Sequence, residues 1–399
     1  MSAKKRIGSL DFIKFIASAL IVLHHFQGDF SYENSLFTFS GGNIYYGYVV
    51  EVFFIISGIL VALKNKKNSE MSYGTFLKGK LLRLFPMTTY STLVYMAFVV
   101  VFKLCFDIWY CCEPLSPIAI LRGLLLIYCG GALPYKNVEP NCILWYICVL
   151  ILCYAIYWII LFLQKRLKIN ARYLFIFMIF LGVGIISFSI DLPFLNFCSA
   201  RGYLSFFFGV ELVDLYATVK NKKRLSLISG LIILSFIIYG IFDSKTLFGD
   251  GLDQEMTLTF ILYPAIIGFL TVGRLSCLFN NGFIKFLGSI SFEIYLCHYH
   301  VFMGIHLLEF FKVIKYPRSD AGMFLALAMI IAMSICVYCF IERPISRRIK
   351  AKARGQAHLP REPTARQKPA AGSGKARPRR SFQKPPAPLS KTVASGSIS

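Results

Sequence analysis

Lys14 and His25 form the pair of residues in this sequence that is best placed for chemistry. They are eleven residues apart, and eleven helical steps of about 100° return to within about 20° of the starting direction. In a helix, a cation and an imidazole would therefore lie on one face, separated by about 16 Å along the axis. An imidazole titrates near neutral pH, so it can take a proton from a hydroxyl or carry a transferred group.

The surrounding apolar segment carries further polar residues. Asp11 and Ser18 extend the face of Lys14, whereas His24 lies about 80° away from it. An ionisable side chain at the centre of a membrane-spanning helix costs about 2.5–3.5 kcal/mol on insertion scales, so such residues usually face a protein interior. This polar face is therefore predicted to line a path through the protein rather than to meet lipid.

The second apolar segment adds an acidic group and a small-residue contact. Glu51 is expected to pair with Lys14 or His25, either in a functional role or as a structural ion pair. Ser57 can donate a hydrogen bond to a neighbouring helix, and Gly58 allows close approach of that helix.

Lys80 and Arg83 are three residues apart, near the start of the third apolar segment. They share a helical face, and a lysine with a forked arginine suits the binding of phosphate. The alternative is that both cations only anchor the helix at the membrane surface.

A later segment contains Glu293, His298 and His300. Glu293 and His300 are seven residues apart and face the same way, whereas His298 points about 160° from His300. The two histidines are therefore not expected to enter one pocket. Arg201 opens another apolar segment and is a further candidate.

The chain as a whole is too apolar for a soluble protein. Of its 399 residues, 56% are hydrophobic and 16% are charged, against roughly 25% charged residues in soluble domains. The apolar residues form blocks of about twenty, the length of a membrane-spanning helix, and lack the alternation of barrel strands. We predict an all-α polytopic integral membrane bundle with ten spans, at 9–27, 44–63, 84–105, 141–163, 172–190, 198–217, 225–242, 256–273, 284–308 and 321–341.

Loop charge predicts the orientation of these spans. Basic residues cluster in alternate loops and at both ends, which places both termini in the cytoplasm. The loop at 312–318 disagrees, because it is basic and should face outward. The stretch 115–133 is interpreted as an interfacial or re-entrant helix, since counting it as a span would put the termini on opposite sides.

The net charge of +23 does not indicate a nucleic-acid partner. About half of it lies after Lys350, in a Pro/Ala-rich tail that cannot bury a core. We predict a membrane domain at 1–348 and a disordered tail at 349–399 that is passive or touches anionic lipid. The cysteines lack zinc-type spacing, and no metal is expected. A disulfide among Cys111, Cys112, Cys129 and Cys142 is left open.

Several segments together resemble the acyltransferase-3 family of membrane O-acyltransferases. The similar elements, in chain order, are Leu10 to Lys14 with Leu23 to Phe26, the Phe53–Gly58 run, the Arg83–Pro86 run, Leu144 to Ile147 with Trp145, Arg201 with Phe207 to Gly209, the Leu287–His298 run and the Ile341–Pro344 run. The family has a basic residue, ten intervening residues and a histidine; this sequence has Lys14, rather than the commoner arginine, with His25.

The resemblance implies an activity, a location and roles for the residues. It implies transfer from cytoplasmic acyl-CoA, by default acetyl-CoA, to a hydroxyl of a glycan or glycolipid outside a bacterial inner membrane, with proteins of polysaccharide assembly as partners. Lys14, Arg83 and Lys80 would hold the donor, and His25 would act as base or acyl carrier. The further candidates are Asp11, Glu51, Ser57, Trp145, Arg201, Glu293 and His298. No extracytoplasmic hydrolase-like domain follows the helices, so the membrane domain or a partner would handle the acceptor.

The competing interpretation is a transporter or flippase for a polysaccharide precursor, because intramembrane Glu, His and Lys also form proton relays. Its usual signs, internal repeats and paired broken helices, are not visible in the sequence.

Overall fold

The computed structural model describes residues 6–32, 46–110, 115–127, 141–242, 252–272 and 274–357. Within these ranges the secondary structure is helical, apart from an isolated bridge between Leu192 and Leu195. The predicted all-α class is therefore confirmed for the described residues.

The helices follow the predicted spans closely. They are α1 (Gly8–Asp29), α2 (Val50–Ala62), α3 (Asn65–Ser69), α4 (Tyr73–Phe106), α5 (Pro117–Leu125), α6 (Trp145–Leu167), α7 (Ala171–Ser187), α8 (Phe197–Thr218), α9 (Lys222–Phe242), α10 (Leu252–Thr257), α11 (Tyr263–Val272), α12 (Gly282–Phe310), α13 (Asp320–Val337) and α14 (Arg343–Ala357). Single π-helical turns at Leu258–Leu262 and Tyr338–Glu342 join α10 to α11 and α13 to α14.

Length and composition identify membrane helices among these elements. Within the described residues, five helical stretches are long and apolar enough to cross a membrane: Gly8–Asp29, Tyr73–Phe106, Cys142–Leu167, Asp253–Val272 and Asp320–Ile349. Gly47–Ala62 and Ala171–Ser187 are apolar but shorter. Ten crossings with both termini in the cytoplasm remain a prediction.

Short polar side chains set the starts of several helices. Each accepts a hydrogen bond from a backbone N–H of the first helical turn, which would otherwise lack a partner. These capping residues are Ser72 for α4, Ser116 for α5, Asn170 for α7, Asn196 for α8, Asn281 for α12 and Ser319 for α13.

Three predicted boundaries differ from the structure. The third span, expected at 84–105, is the second part of the 34-residue helix α4, which also contains the basic run with Lys80 and Arg83. Helix α5 occupies only Pro117–Leu125 of the stretch 115–133 and ends where Leu126 adopts a positive φ of 56°. Helix α14 continues to Ala357, beyond the predicted start of the tail at 349. Residues 358–399 lie outside the described residues.

The site depends on two pairs of packed helices. Helix α1 packs along α12, and α2 packs along α8, which also contacts α7. Close approach of α2 and α8 requires glycine, because a Cβ added at Gly58 would collide with the backbone carbonyl of Phe206. The same holds for α1 and α12, where a Cβ at Gly288 would overlap Asp11.

Candidate active site

The polar face of α1 is turned into the protein rather than toward lipid, and the path that it is expected to line stays a prediction. Asp11 is buried, and its carboxylate pairs with Lys14 at 2.7 Å between Oδ1 and Nζ, and with Arg6. Ser18 is also buried, and its hydroxyl donates to the carbonyl of Ser291 on α12 at 2.7 Å. Packing of α1 against α12 therefore places this face at a protein interface rather than toward lipid.

His25 lies beside aromatic residues of α12. Its ring stacks on that of His298, with centroids 5.0 Å apart and planes inclined by 23°. The ring of Tyr299 is 5.3 Å away, and its hydroxyl lies 3.4 Å from Nδ1 of His25. The structure therefore brings together His25 and His298, two residues of different helices that the sequence singled out separately.

Hydrogen bonding fixes the protonation pattern of His298. Its Nδ1 lies 2.7 Å from the carbonyl oxygen of Tyr295, which can only accept, so we assign the ring proton to Nδ1. Nε2 then carries a lone pair, and within the described ranges this buried atom has no hydrogen-bond partner. A neutral imidazole with an unpaired lone pair is a suitable proton acceptor.

His300 faces a different helix, as predicted. Its Nε2 lies 3.0 Å from the carbonyl and 3.2 Å from the hydroxyl oxygen of Ser91 on α4. His300 therefore joins α12 to α4, while His298 faces α1.

The three predicted donor-binding cations lie near one another. Arg83 is exposed, and its charge acts on both Lys14 and Lys80. The ammonium group of Lys80 lies 4.0 Å from the ring centroid of Tyr154. Because Asp11 is the acidic partner of both Lys14 and Arg6, the group keeps an excess of positive charge.

Ser57 and Glu293 border the same region. Ser57 lies close to the phenols of Tyr146 and Tyr154 on α6, and its hydrogen bond across helices stays a prediction. Glu293 is buried, is close enough to interact with the charge of Arg83, and leaves Oε2 without a hydrogen-bond partner among the described residues.

The predicted pairing of Glu51 with Lys14 or His25 is wrong. Glu51 is fully buried and pairs with Arg201, with 2.5 Å between Nε and Oε1 and 3.0 Å between Nη2 and Oε2. The packing of α2 on α8 turns the carboxylate toward α8, and the forked guanidinium binds both oxygens. Lys14 is already held by Asp11.

Arg201 is the centre of a second buried group. The indole ring of Trp145 lies 4.9 Å from its guanidinium carbon, a cation–π contact. Its charge also acts on His24, whose ring is 5.1 Å from that of His25. His24 therefore lies between the histidine pair and the Arg201 group.

The comparison with known families identifies the family of this chain. The family model described as an acyltransferase domain, that of the acyltransferase-3 family, matches residues 7–342. The chain belongs to the acyltransferase-3 family. No curated protein and no solved structure matches it significantly. The protein is therefore an acyltransferase, and the family together with its apolar helices places it in a membrane.

Sequence reasoning missed Glu255 of this acyltransferase. Glu255 is buried, its Oε1 lies 3.9 Å from Nε of Arg201, and neither carboxylate oxygen has a hydrogen-bond partner within the described ranges. It lies one residue before the predicted span at 256–273, so the sequence places it in a loop. Its position directly beside a long apolar run is the sequence feature that could have indicated a buried carboxylate.

Tyr299 was also missed, because a tyrosine in an apolar helix gives no signal by itself. A disulfide among the four cysteines near the predicted outer loop is not tested, because Cys111, Cys112 and Cys129 lie outside the described residues. Among the residues that the structure describes, no three His, Cys, Asp or Glu side chains converge as metal ligands would.

Proposed function

We propose that this acyltransferase moves an acetyl group from cytoplasmic acetyl-CoA to a hydroxyl of a glycan or glycolipid outside a bacterial cell membrane. The observation that carries the proposal is the stacking of His25 of α1 on His298 of α12. His25 also shares its face of α1 with Lys14, which pairs with Asp11. The imidazole inside the protein suits a hydroxyl acceptor, because it can take the hydroxyl proton. The cations at the other end of this face of α1 suit an anionic donor.

The donor is held at the cationic end. Lys14, Arg83 and Lys80 attract the anionic donor to the inner mouth of the bundle, where its acyl-bearing end enters. The basic loops on this side are those that the positive-inside rule assigns to the cytoplasm, where acyl-CoA is made.

The reaction needs one proton acceptor near the acceptor hydroxyl. Neutral His25 takes the hydroxyl proton as the oxygen attacks the thioester carbon, and the carbon–sulfur bond breaks as the thiolate leaves and gains a proton. In the covalent variant, a nitrogen of His25 attacks the thioester carbon first, and the thiolate leaves with the imidazole proton. The hydroxyl oxygen then attacks the acyl-imidazole, the carbon–nitrogen bond breaks, and the hydroxyl proton returns to His25. In both variants His298 and Tyr299 orient the His25 ring.

The test uses inverted membrane vesicles, which expose the cytoplasmic face to added [14C]acetyl-CoA. Loss of general base catalysis typically costs about 10²–10⁴ in rate, so His25→Ala should remove most transfer of label to glycan. The matched control is His24→Ala, for which we expect a much smaller loss. The opposite ranking would contradict the assignment of His25.

The same vesicles separate the enzyme from a transporter or flippase. Parent vesicles turned right-side-out should transfer little label, because added acetyl-CoA does not reach the cytoplasmic face. If His25→Ala abolished glycan export and left acetylation intact, the protein would be a transporter rather than an acetyl-transferring enzyme.

A further inference from the structure

A cavity with two lysines in its lining lies beside the predicted cytoplasmic loops, away from His25. It has a volume of about 460 Å³ and is lined by Asn65, Lys66, Ser69, Leu161, Gln164 and Lys165. This volume is within the ~300–1,000 Å³ range of small-molecule sites. The cavity is open on one side, and its lysines are exposed.

Two basic segments that are far apart in sequence meet at this cavity. Lys66 comes from α3, and Lys165 comes from the last turn of α6. Neither lysine has an ion-pair partner within the residues that the structure describes. Two cations without a counter-charge, together with the amides of Asn65 and Gln164, form a surface suited to phosphate oxygens.

Hydrogen bonds hold the cavity walls in place. The phenol of Tyr157 on α6 donates to Oδ1 of Asn65 at 3.1 Å. The indole N–H of Trp158, also on α6, donates to the carbonyl of Met71 at 3.0 Å. The floor is the buried side chain of Leu161. The segment with α3 is thereby fixed to α6, so the cavity is largely formed before a ligand binds.

Helix α6 runs from the cavity toward the donor-binding cations. Tyr154, Leu161 and Lys165 recur at helical spacing on α6, and Lys80 covers the ring of Tyr154. From Tyr154 to Lys165 the axis rises about 16 Å, a length comparable to the extended pantetheine arm of coenzyme A.

We propose that this cavity binds the phosphates of the nucleotide half of coenzyme A, a proposal that rests on the proposed acyl-CoA donor. Lys66 and Lys165 contact the phosphates, and the pantetheine arm follows α6 past Tyr154 to Lys80 and Lys14. The thioester thereby reaches the interior of the bundle, while the nucleotide stays at the aqueous surface.

The test measures binding of coenzyme A to the purified full-length protein and acetyl transfer in vesicles. Loss of two charged contacts should weaken binding about tenfold or more in a K66A/K165A variant, and raise KM for acetyl-CoA with little change in kcat. Acetyl transfer from acetylpantetheine, which lacks the nucleotide, should stay at the parent rate in this variant. That result would show that the variant is folded.

The matched control is K67A/R166A, which removes neighbouring exposed cations that do not line the cavity. It should bind coenzyme A like the parent, and adenosine 3′,5′-bisphosphate should compete with coenzyme A in the parent and in this control. Equal binding by the parent and K66A/K165A would overturn the inference while leaving the proposed function intact, as expected if the lysines contact only lipid headgroups. A parent that neither binds coenzyme A nor transfers acetyl would overturn both.

Discussion

At the residue scale, the proposed chemistry of this acyltransferase depends on the neighbours of a few buried polar groups. Tyr295 fixes the ring proton of His298 on Nδ1, and His298 in turn supports the ring of His25. Arg201 neutralises Glu51, while Glu255 stands 3.9 Å away with no hydrogen bond within the described ranges. Among these groups, the histidines have the lone pairs that can accept a proton. The guanidinium of Arg201 lies near them, and its charge acts on His24.

Removal of Glu51 should destabilise the protein more than removal of both partners. Breaking a buried ion pair from one side typically costs about 3–5 kcal/mol, because the remaining charge stays buried. We expect Glu51→Ala to lower the unfolding temperature in detergent strongly, and the double variant E51A/R201M to recover much of that loss. Equal melting of the Glu51→Ala variant and the parent would show that the pair does not bear on stability.

At the element scale, contacts between helix backbones position the candidate catalytic groups. Gly58 lets α2 approach α8, and Gly288 lets α12 approach α1, which brings His298 beside His25. The added N-terminal turns of α4 carry Lys80 over α6. Small changes at these crossings therefore move residues that lie several turns away.

Gly58→Ala should destabilise the protein, because the new methyl group meets backbone atoms of Phe206 and Val210 that cannot move aside independently. Overpacking of this kind typically costs about 1–3 kcal/mol. The control is Gly184→Ala in α7, where an added Cβ meets nothing within 4 Å and alanine favours the helix. Melting temperatures in detergent should fall for Gly58→Ala and stay or rise for Gly184→Ala; similar values would contradict the close-packing argument.

At the scale of the whole molecule, the proposed function requires that the acyl donor binds on one side of the membrane and the acceptor on the other. Among the described residues, five stretches are long and apolar enough to cross, and the described part of 115–133 is the short helix α5. If α5 does not cross, the loop around Lys168 lies in the cytoplasm and the turn at Leu192 lies outside.

Fusions of alkaline phosphatase, which is active only outside the cytoplasm, test this orientation. We expect an inactive fusion after Lys168, an active one after Leu192 and an inactive one after Ala357. An active fusion after Lys168 would mean that the 115–133 stretch crosses the membrane, and that the termini lie on opposite sides.

The sequence by itself determined the helices and the shared face of Lys14 and His25. Apolar blocks of membrane length, capping residues and a 100° helical step are local properties, so they can be counted along the chain. The sequence also determined that this face points into the protein, because ionisable side chains are costly in lipid.

Only the tertiary structure decided which helices meet. The partner of Glu51 is Arg201 rather than Lys14, the partner of His25 is His298, and Lys66 meets Lys165 across a cavity. Helical periodicity gives the direction of a side chain around its own axis but not the neighbour on that side. That neighbour is set by packing between segments distant in sequence, where glycines such as Gly58 and Gly288 permit the closest crossings.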